Sequence, residues 1–363
     1  MTITISALIP AYNAAAFIAE ALDSIATQSR RPDQIIVVDD GSTDCTSKRV
    51  EQWSLKTGIK VDVFKQKNQG AAAARNAGIR ATACQWIALL DADDLWLPKH
   101  LARLEQVIRM QPGLIAAFSD GVYFGANKED SQPFTRGKAL AVGVKHDGQD
   151  FYILSEGLYE SLLPGLYIIP SSLIFRRDAA LLAGLFDEAI RYIEDRDFVL
   201  RLSRRGPFAF IDRVTSRNRT HDNNVMHPKN ALRNQYYGLA VLHKMLCTAS
   251  QLGLNDKEIR TTQLQLRRST MEFLNAASRQ GVRAYAKSIA RVWRFAPVIR
   301  AINLKNFSRA IYYSSCRLTN NRLAVIGVWL SASSAVAYFL ASEGIRNYIH
   351  WLTDLTRQFL IWK

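Results

Sequence analysis

Two hydrophobic periods take turns along the first 120 residues. Residues 3–9 form an apolar run rich in β-branched side chains and broken at Pro10, the pattern of a buried strand. Residues 14–27 then follow helical spacing through Phe17, Ile18, Ala21, Leu22 and Ile25. QIIVV at 34–38 is an unbroken apolar run, as expected of a parallel-sheet strand covered on both faces. Gly41, Ser42, Thr43 and Asp44 supply turn and cap chemistry for the helix that follows. Residues 61–64 read as a short strand, 71–81 as a helix and QWIALL at 85–90 as another buried strand. Pro98 then opens a helix through Leu101, Leu104 and Ile108, proline being tolerated in a first turn. This order predicts an α/β fold on an open, mostly parallel sheet with right-handed crossovers.

Ligands of such sheets sit beyond the carboxyl ends of the strands. There the sequence places Pro10, Tyr12 and Asn13 after strand one and Asp39 and Asp40 at the end of strand two. Asn68, Gly70, Arg75 and Asn76 follow strand three, and Asp91, Asp93 and Asp94 end strand four. The turn after strand one, PAYNAAAF, has no glycine, and no P-loop lysine motif is present. The devices that usually hold NAD or ATP are therefore missing.

Composition adds a partner question. The chain has 363 residues, 48% of them hydrophobic, which excludes wholesale disorder and suggests two domains or one with an extension. We place the boundary at 228/229. Lys+Arg exceed Asp+Glu by 47 to 32, a net charge of +15, which calls for nucleic acid, an anionic membrane or a phosphorylated substrate. Ten of those basic residues and no acidic one lie within 273–322. Arg279, Arg283, Lys287 and Arg291 recur every four residues, with Val282, Tyr285, Ile289 and Val292 on the other side and Pro297 beyond. That is either a membrane-surface helix or a solvated face of a packed one.

Residues 323–342 are twenty positions without a charge, long enough to cross a bilayer. Their serines and alanines equally suit a helix packed on another helix. The tail 345–363 repeats apolar positions at near-helical spacing, with Trp351 and Trp362 nearby, as an interfacial helix would. The four cysteines are far apart, which favours a reducing compartment. Residues 1–7 lack a charged leader and a long apolar run, so no secretory signal is expected.

Two acidic constellations carry candidate chemistry. DADD at 91–94 gathers three carboxylates in four residues, and such crowding asks for a cation. Oxygen ligands of this kind suit Mg²⁺ or Mn²⁺ shared with substrate phosphates; the plainer reading is an acidic turn. Glu194, Asp195 and Asp197 fall at the start of a helix held by Phe198, Leu200 and Leu202. There they either favour the helix dipole or supply a general base. His221, in a polar stretch after a strand, is a candidate third metal ligand.

Taken together these segments resemble the family 2 glycosyltransferases of GT-A fold. The resemblance rests on IPAYN (9–13), IIVVDDGSTD (35–44), NQGAAAARNAG (68–78), LLDADDLWLPKHL (89–101), GLFDE (184–188) and EDRDFVLRL (194–202). It spans about residues 3–222 and leaves 230–363 uncovered, where an all-α extension is expected. The resemblance implies inverting transfer from a nucleotide-diphosphate sugar, with UDP the expected carrier, to a hydroxyl of a glycan or polyprenyl-diphosphate-linked acceptor. It also implies roles. Pro10 and Tyr12 would shape the nucleotide loop, and Asp39 and Asp40 would contact base and ribose with Arg75 beside them. Asp91 and Asp93 would form the metal-binding DxD, with His221 as a further ligand for Mn²⁺ or Mg²⁺, and Asp195 would be the base. Ser171, Ser172 and Glu194 would lie on the acceptor side. No QxxRW-type motif follows 194–202, so single addition is expected rather than processive synthesis. The basic half would then meet an anionic membrane at the cytoplasmic face, peripherally or through a C-terminal anchor. A nucleotidyltransferase would want a glycine-rich basic loop after strand one. A nucleic-acid binder or a degenerate transferase acting as a scaffold would leave the aspartates unexplained, so nucleic acid is not an expected partner.

Overall fold

The computed structural model describes residues 2–125, 148–221 and 228–292, with 132, 133, 135, 137 and 143–146 between them. The chain divides into two compact units, 1–227 with 250–253 and 228–249 with 254–363.

The first unit is α/β. Its strands are β1 (Ile5–Ala11), β2 (Gln34–Asp39), β3 (Asp62–Lys65), β4 (Trp86–Leu89), β5 (Leu95–Trp96), β6 (Ala116–Phe124), β7 (Val144–Lys145), β8 (Phe151–Leu154), β9 (Leu173–Arg176) and β10 (Phe208–Arg219). Its helices are α1 (Ile18–Ala26), α2 (Thr46–Thr57), α3 (Ala71–Ala81), α4 (His100–Met110), α5 (Leu158–Leu162), α6 (Arg177–Leu182) and α7 (Glu194–Leu202). They form one sheet in the order β3-β2-β1-β4-β9-β6-β10-β8-β7, with β5 on β10. β1 pairs parallel with β2 and β4, β2 with β3, and β6 with β10. β9 runs antiparallel to both β4 and β6, so all of those parallel strands point one way. Their carboxyl ends share one edge.

Alternation along β1 decides the layers. Ile5, Ala7 and Ile9 join Ile18, Leu22 and Ile25 of α1 and Leu101, Leu104 and Ile108 of α4 in one buried cluster. Leu8 points the opposite way, toward α3, and a Cβ on Gly78 would lie 2.1 Å from its Cδ1. Glycine at that point lets α3 lie close on the sheet. The expected elements appear with trimmed ends. α1 starts at Ile18 rather than 14 because Asn13 has φ +49 and Ala14 C=O accepts from Phe17 and Ile18 N–H in a preceding turn.

The second unit is helical where described: α8 (Ala231–Cys247), α9 (Asp256–Ser278) and α10 (Val282–Val292). α9 opens with a capping box, Glu258 N–H donating to Asn255 Oδ1 (3.0 Å) and Asn255 N–H to Glu258 Oε2 (2.8 Å), which satisfies two orphan donors. The basic row is shorter than its spacing implied. α9 ends at Ser278, Gly281 takes φ +100, and only Arg283, Lys287 and Arg291 lie exposed on α10; Arg279 caps the helix before. Tyr285, Ile289 and Val292 are buried as expected. No helix among the described residues is long and apolar enough to cross a membrane. The segments 323–342 and 345–363, together with Trp293 and Pro297, lie outside the described residues.

Candidate functional site

The loops after β1 and β2 are laced together. Asn13 N–H donates to Ser42 Oγ (3.0 Å), Thr43 N–H to Asn13 Oδ1 (2.8 Å) and Ala14 N–H to Thr46 Oγ1 (2.8 Å). Asp39 and Asp40 sit beneath, both buried. Asp39 accepts from Ser42 N–H (2.8 Å) and from the Ser47 hydroxyl. Burial alone would raise its carboxyl, but those hydrogen bonds outweigh burial and hold it below the usual range. Asp40 accepts from Gln66 Nε2 (2.7 Å), Gln69 N–H (2.9 Å) and Gly70 N–H (2.7 Å). The structure therefore places both carboxylates inside the loops, bracing them, where the resemblance implied base and ribose contacts. Pro10 is half-buried, whereas Tyr12 is 52% exposed at the end of β1.

Gly41 makes this bracing possible. It has φ +75, and a Cβ there would stand 2.7 Å from the Asn68 backbone nitrogen. Gly41→Ala is expected to cost about 1–3 kcal/mol, from left-handed strain and a clash with rigid backbone. A thermal melt lowered by several degrees would bear this out; an unchanged melt would not.

The aspartate turn after β4 is the acidic centre. Asp91 N–H donates to Ser171 Oγ (3.0 Å), and Ser171 Oγ donates to Asp94 Oδ2 (2.6 Å). Asp94 also accepts from Asn218 Nδ2 (2.6 Å) and Arg219 N–H (2.8 Å). It is a buried brace, and burial together with the charges of Asp93 and Asp91 raises its carboxyl well above the usual range. Ser171 and Ser172 are 0% and 1% exposed; Ser171 holds this turn, while Ser172 Oγ donates to Ile169 C=O (2.9 Å). Asp93 Oδ2 lies 2.9 Å from His221 Nε2, and the imidazole stacks on Phe17 at 5.2 Å.

Arg75, expected beside Asp39 and Asp40, makes its ion pairs elsewhere. Buried on α3, it reaches across the acidic centre, with Nη2 2.9 Å from Asp91 Oδ1 and Nη1 2.5 Å from Glu194 Oε1. Asp91, Asp93 and His221 do not converge, and no three His, Cys, Asp or Glu side chains among the described residues form a metal-holding group. The pair Asp93–His221 nevertheless fits a divalent cation. It offers carboxylate oxygen and imidazole nitrogen, and burial plus the Asp91 charge raises the Asp93 carboxyl, a cost that a cation would reverse.

The second acidic pair opens α7. Ile193, with φ +55, turns the chain into the helix. Glu194 meets Arg75, while Asp195, half-buried, accepts from Arg196 N–H (2.8 Å). Burial, then the Glu194 charge, pushes Asp195 up to about 7 against the pull of Arg75. Asp197 is structural; it is fully buried and paired with Arg201 at 2.5 Å.

The GLFDE loop fixes this helix end. Asn76 Oδ1 accepts from Phe186 N–H (2.9 Å), and its Nδ2 donates to Phe186 C=O (2.9 Å). Phe186 stacks on Phe198 at 4.1 Å, and Arg75 lies over its ring. Asn76, Asp94, Asn218 and Arg219 were thus missed as supports; Arg219 Nε also donates to Asp93 C=O (2.9 Å). Their partners are distant in sequence, and only the position of Asn76 and Asp94 at strand ends hinted at them.

Residues 6–163 match the family model described as Glycosyl transferase family 2. An uncharacterized glycosyltransferase of Rickettsia typhi is 29% identical over 60% of this chain and 64% of its own length. One from Nostoc is 33% identical over 38% of this chain and 42% of its own. The chain spans less than two thirds of the length of these curated relatives. Among solved structures, residues 1–349 of S. aureus TarS in complex with UDP-GlcNAc align at TM-score 0.57 and 15% identity, over 93% of this chain and 92% of that one. A mannosyltransferase of Pyrobaculum calidifontis in complex with GDP-Man and Mn²⁺ aligns at 0.53 and 17%, over 94% and 89%. These likenesses show the GT-A fold. The match to the glycosyltransferase family 2 model begins in β1, runs through the aspartate turn and stops before α7.

Proposed function

We propose that this chain moves a sugar from a nucleotide diphosphate to an acceptor hydroxyl in a single, inverting displacement. The observation that carries this reading is Arg75, whose one guanidinium touches both Asp91 and Glu194. It puts the donor-side aspartates and the α7 acids within one side chain's span. The resemblance to structures containing UDP-GlcNAc and GDP-Man supports a nucleotide-sugar donor, with UDP the expected carrier.

Asp93 and His221 would hold Mn²⁺ or Mg²⁺, with the Asp91 charge acting on Asp93, and such a cation offsets charge developing on the departing diphosphate. Tyr12 offers its ring to the base, on loops that Asp39 and Asp40 stiffen. Asp195 takes the proton from the attacking hydroxyl. A carboxyl near 7 is well matched to that task at neutral pH, since about half of it is ionised before transfer and it is basic enough to accept. Arg75 keeps the neighbouring carboxylates from pushing it higher. The test is the anomeric configuration of the product by proton NMR. Inversion supports a single displacement; retention would overturn it.

The acceptor is read as a glycan or a polyprenyl-diphosphate-linked group, met at the inner face of the cell membrane. Exposed Arg283, Lys287 and Arg291 on α10 support an anionic surface as partner. Each such charge contributes about 1 kcal/mol near anionic lipid. Neutralising all three to Gln is therefore expected to weaken flotation with phosphatidylglycerol liposomes roughly a hundredfold. Undiminished flotation would remove α10 from the membrane contact.

A further inference from the structure

Strand β6 has one exposed side chain in an otherwise buried run. Its burial is continuous from Ala116 to Val122 and resumes at Phe124, while Tyr123 is 39% exposed. The strand belongs to the parallel set, so Tyr123 lies near the same sheet edge as the aspartate turn. In register, Tyr123 pairs with Asn218 of β10, and residues paired across a ladder share a face. The Asn218 side chain points to Asp94, its Nδ2 2.6 Å from Oδ2, so Tyr123 stands on the Asp94 face. The next residue, Phe124, alternates to the other face, where Arg217 and Arg219 cover its ring.

Two further facts locate the phenol. Burial, then the carboxylates of Asp94 and of Asp195, raises its hydroxyl above the usual tyrosine range. It therefore stands within electrostatic reach of both the aspartate turn and the α7 acids, and it stays a neutral donor. The sheet order supplies the direction. The nucleotide-side loops follow β1, β2 and β3 and the acidic turn follows β4, whereas β6 lies beyond β9 on the opposite side of β4. A donor laid over the first three strands leaves the β6 side of the aspartate turn to the group that attacks.

We propose that Tyr123 is the platform of the acceptor subsite, taking the apolar face of a pyranose ring on its own ring and a sugar hydroxyl on its phenol. The inference rests on the reading of Asp195 as the base. It adds that the acceptor presents a sugar, rather than a bare lipid or a peptide hydroxyl, to that base. A flat aromatic is suited to this because the axial C–H groups of a pyranose form a weakly positive patch that complements the negative ring face. An exposed tyrosine is already ordered on its strand, so little conformational freedom is lost on binding.

The experiment is saturation-transfer NMR with octyl β-glycosides of glucose, galactose, N-acetylglucosamine and mannose. It is run on the full chain, Tyr123→Ala and Tyr123→Phe, with and without UDP and Mn²⁺. At least one glycoside is expected to receive saturation at its ring protons. Tyr123→Ala should weaken that binding about tenfold, the order of one lost aromatic contact. Tyr123→Phe should weaken it only about two- to threefold, through the hydroxyl alone. UDP affinity should be unchanged in both variants, which also verifies that they are folded. Equal glycoside binding by Tyr123→Ala, or saturation confined to the octyl chain in the wild type, would overturn the proposal. Failure of UDP to bind the wild type would instead count against the donor reading, and the glycoside series would still decide Tyr123.

Discussion

Asp195→Asn is expected to lower the rate of sugar transfer by about 10²–10⁴-fold, the usual contribution of a positioned base, with nucleotide binding intact. The amide keeps the size of the side chain but cannot take a proton. In the wild type, activity should rise with pH through about 7, where the Asp195 carboxyl ionises, because the ionised form is the one that works. Stability should move the other way. A carboxyl raised from its ordinary value near 3.8 to about 7 is bound to its proton more tightly when folded. Its stabilisation is complete below about 4 and lost as pH climbs through about 7. Asp195→Asn should therefore melt higher than the wild type at pH 8, with the gap closing toward pH 4. Pre-steady-state rates and paired melts check both halves. A variant that keeps its rate, or melts lower at pH 8, would remove Asp195 from the role of base.

Arg75→Met carries the largest expected effect on stability. The substitution keeps much of the side-chain length but deletes the charge that Asp91 and Glu194 share. Breaking a buried pair by removing one partner costs about 3–5 kcal/mol, because the remaining charges stay buried. Asp91 is 30% exposed, so the lower end of that range is expected. The variant should also shift the pH–rate profile to higher pH, since burial and Glu194 would then act on Asp195 without the opposing guanidinium. Urea unfolding reads the first effect and the rate profile the second. A loss of only a few tenths of a kcal/mol, with an unmoved profile, would show that the bridge is a surface-like pair.

Local periodicity carried the fold well where one element explains itself. The unbroken run of β2, the alternation of β1 and the α7 start at Glu194 follow from hydrophobic spacing and from acids gathered in a first helical turn. The long strand β10 and the antiparallel insertion of β9 between β4 and β6 do not, because strand pairing is decided by residues far apart. The same division holds in the site. Asp93 and His221 were expected together and stand 2.9 Å apart. Arg75 and Glu194 are 119 positions apart, and nothing in either segment says that they touch. Asp39 and Asp40 show a further limit: sequence places them at a strand end but cannot say that loop N–H groups take up their oxygens. The basic row failed at one residue. Spacing continued smoothly past Gly281, but its left-handed φ ended the helix.

The central claim is a donor site built around the aspartate turn, and calorimetry addresses it most directly. The full chain would be titrated with UDP, GDP, dTDP and CMP, with and without Mn²⁺, beside Asp93→Ala. The account predicts metal-dependent binding of one nucleoside diphosphate, UDP above the others, and its loss in the variant. Binding that ignores both Mn²⁺ and Asp93, or no binding by any of the four to the folded protein, would contradict it.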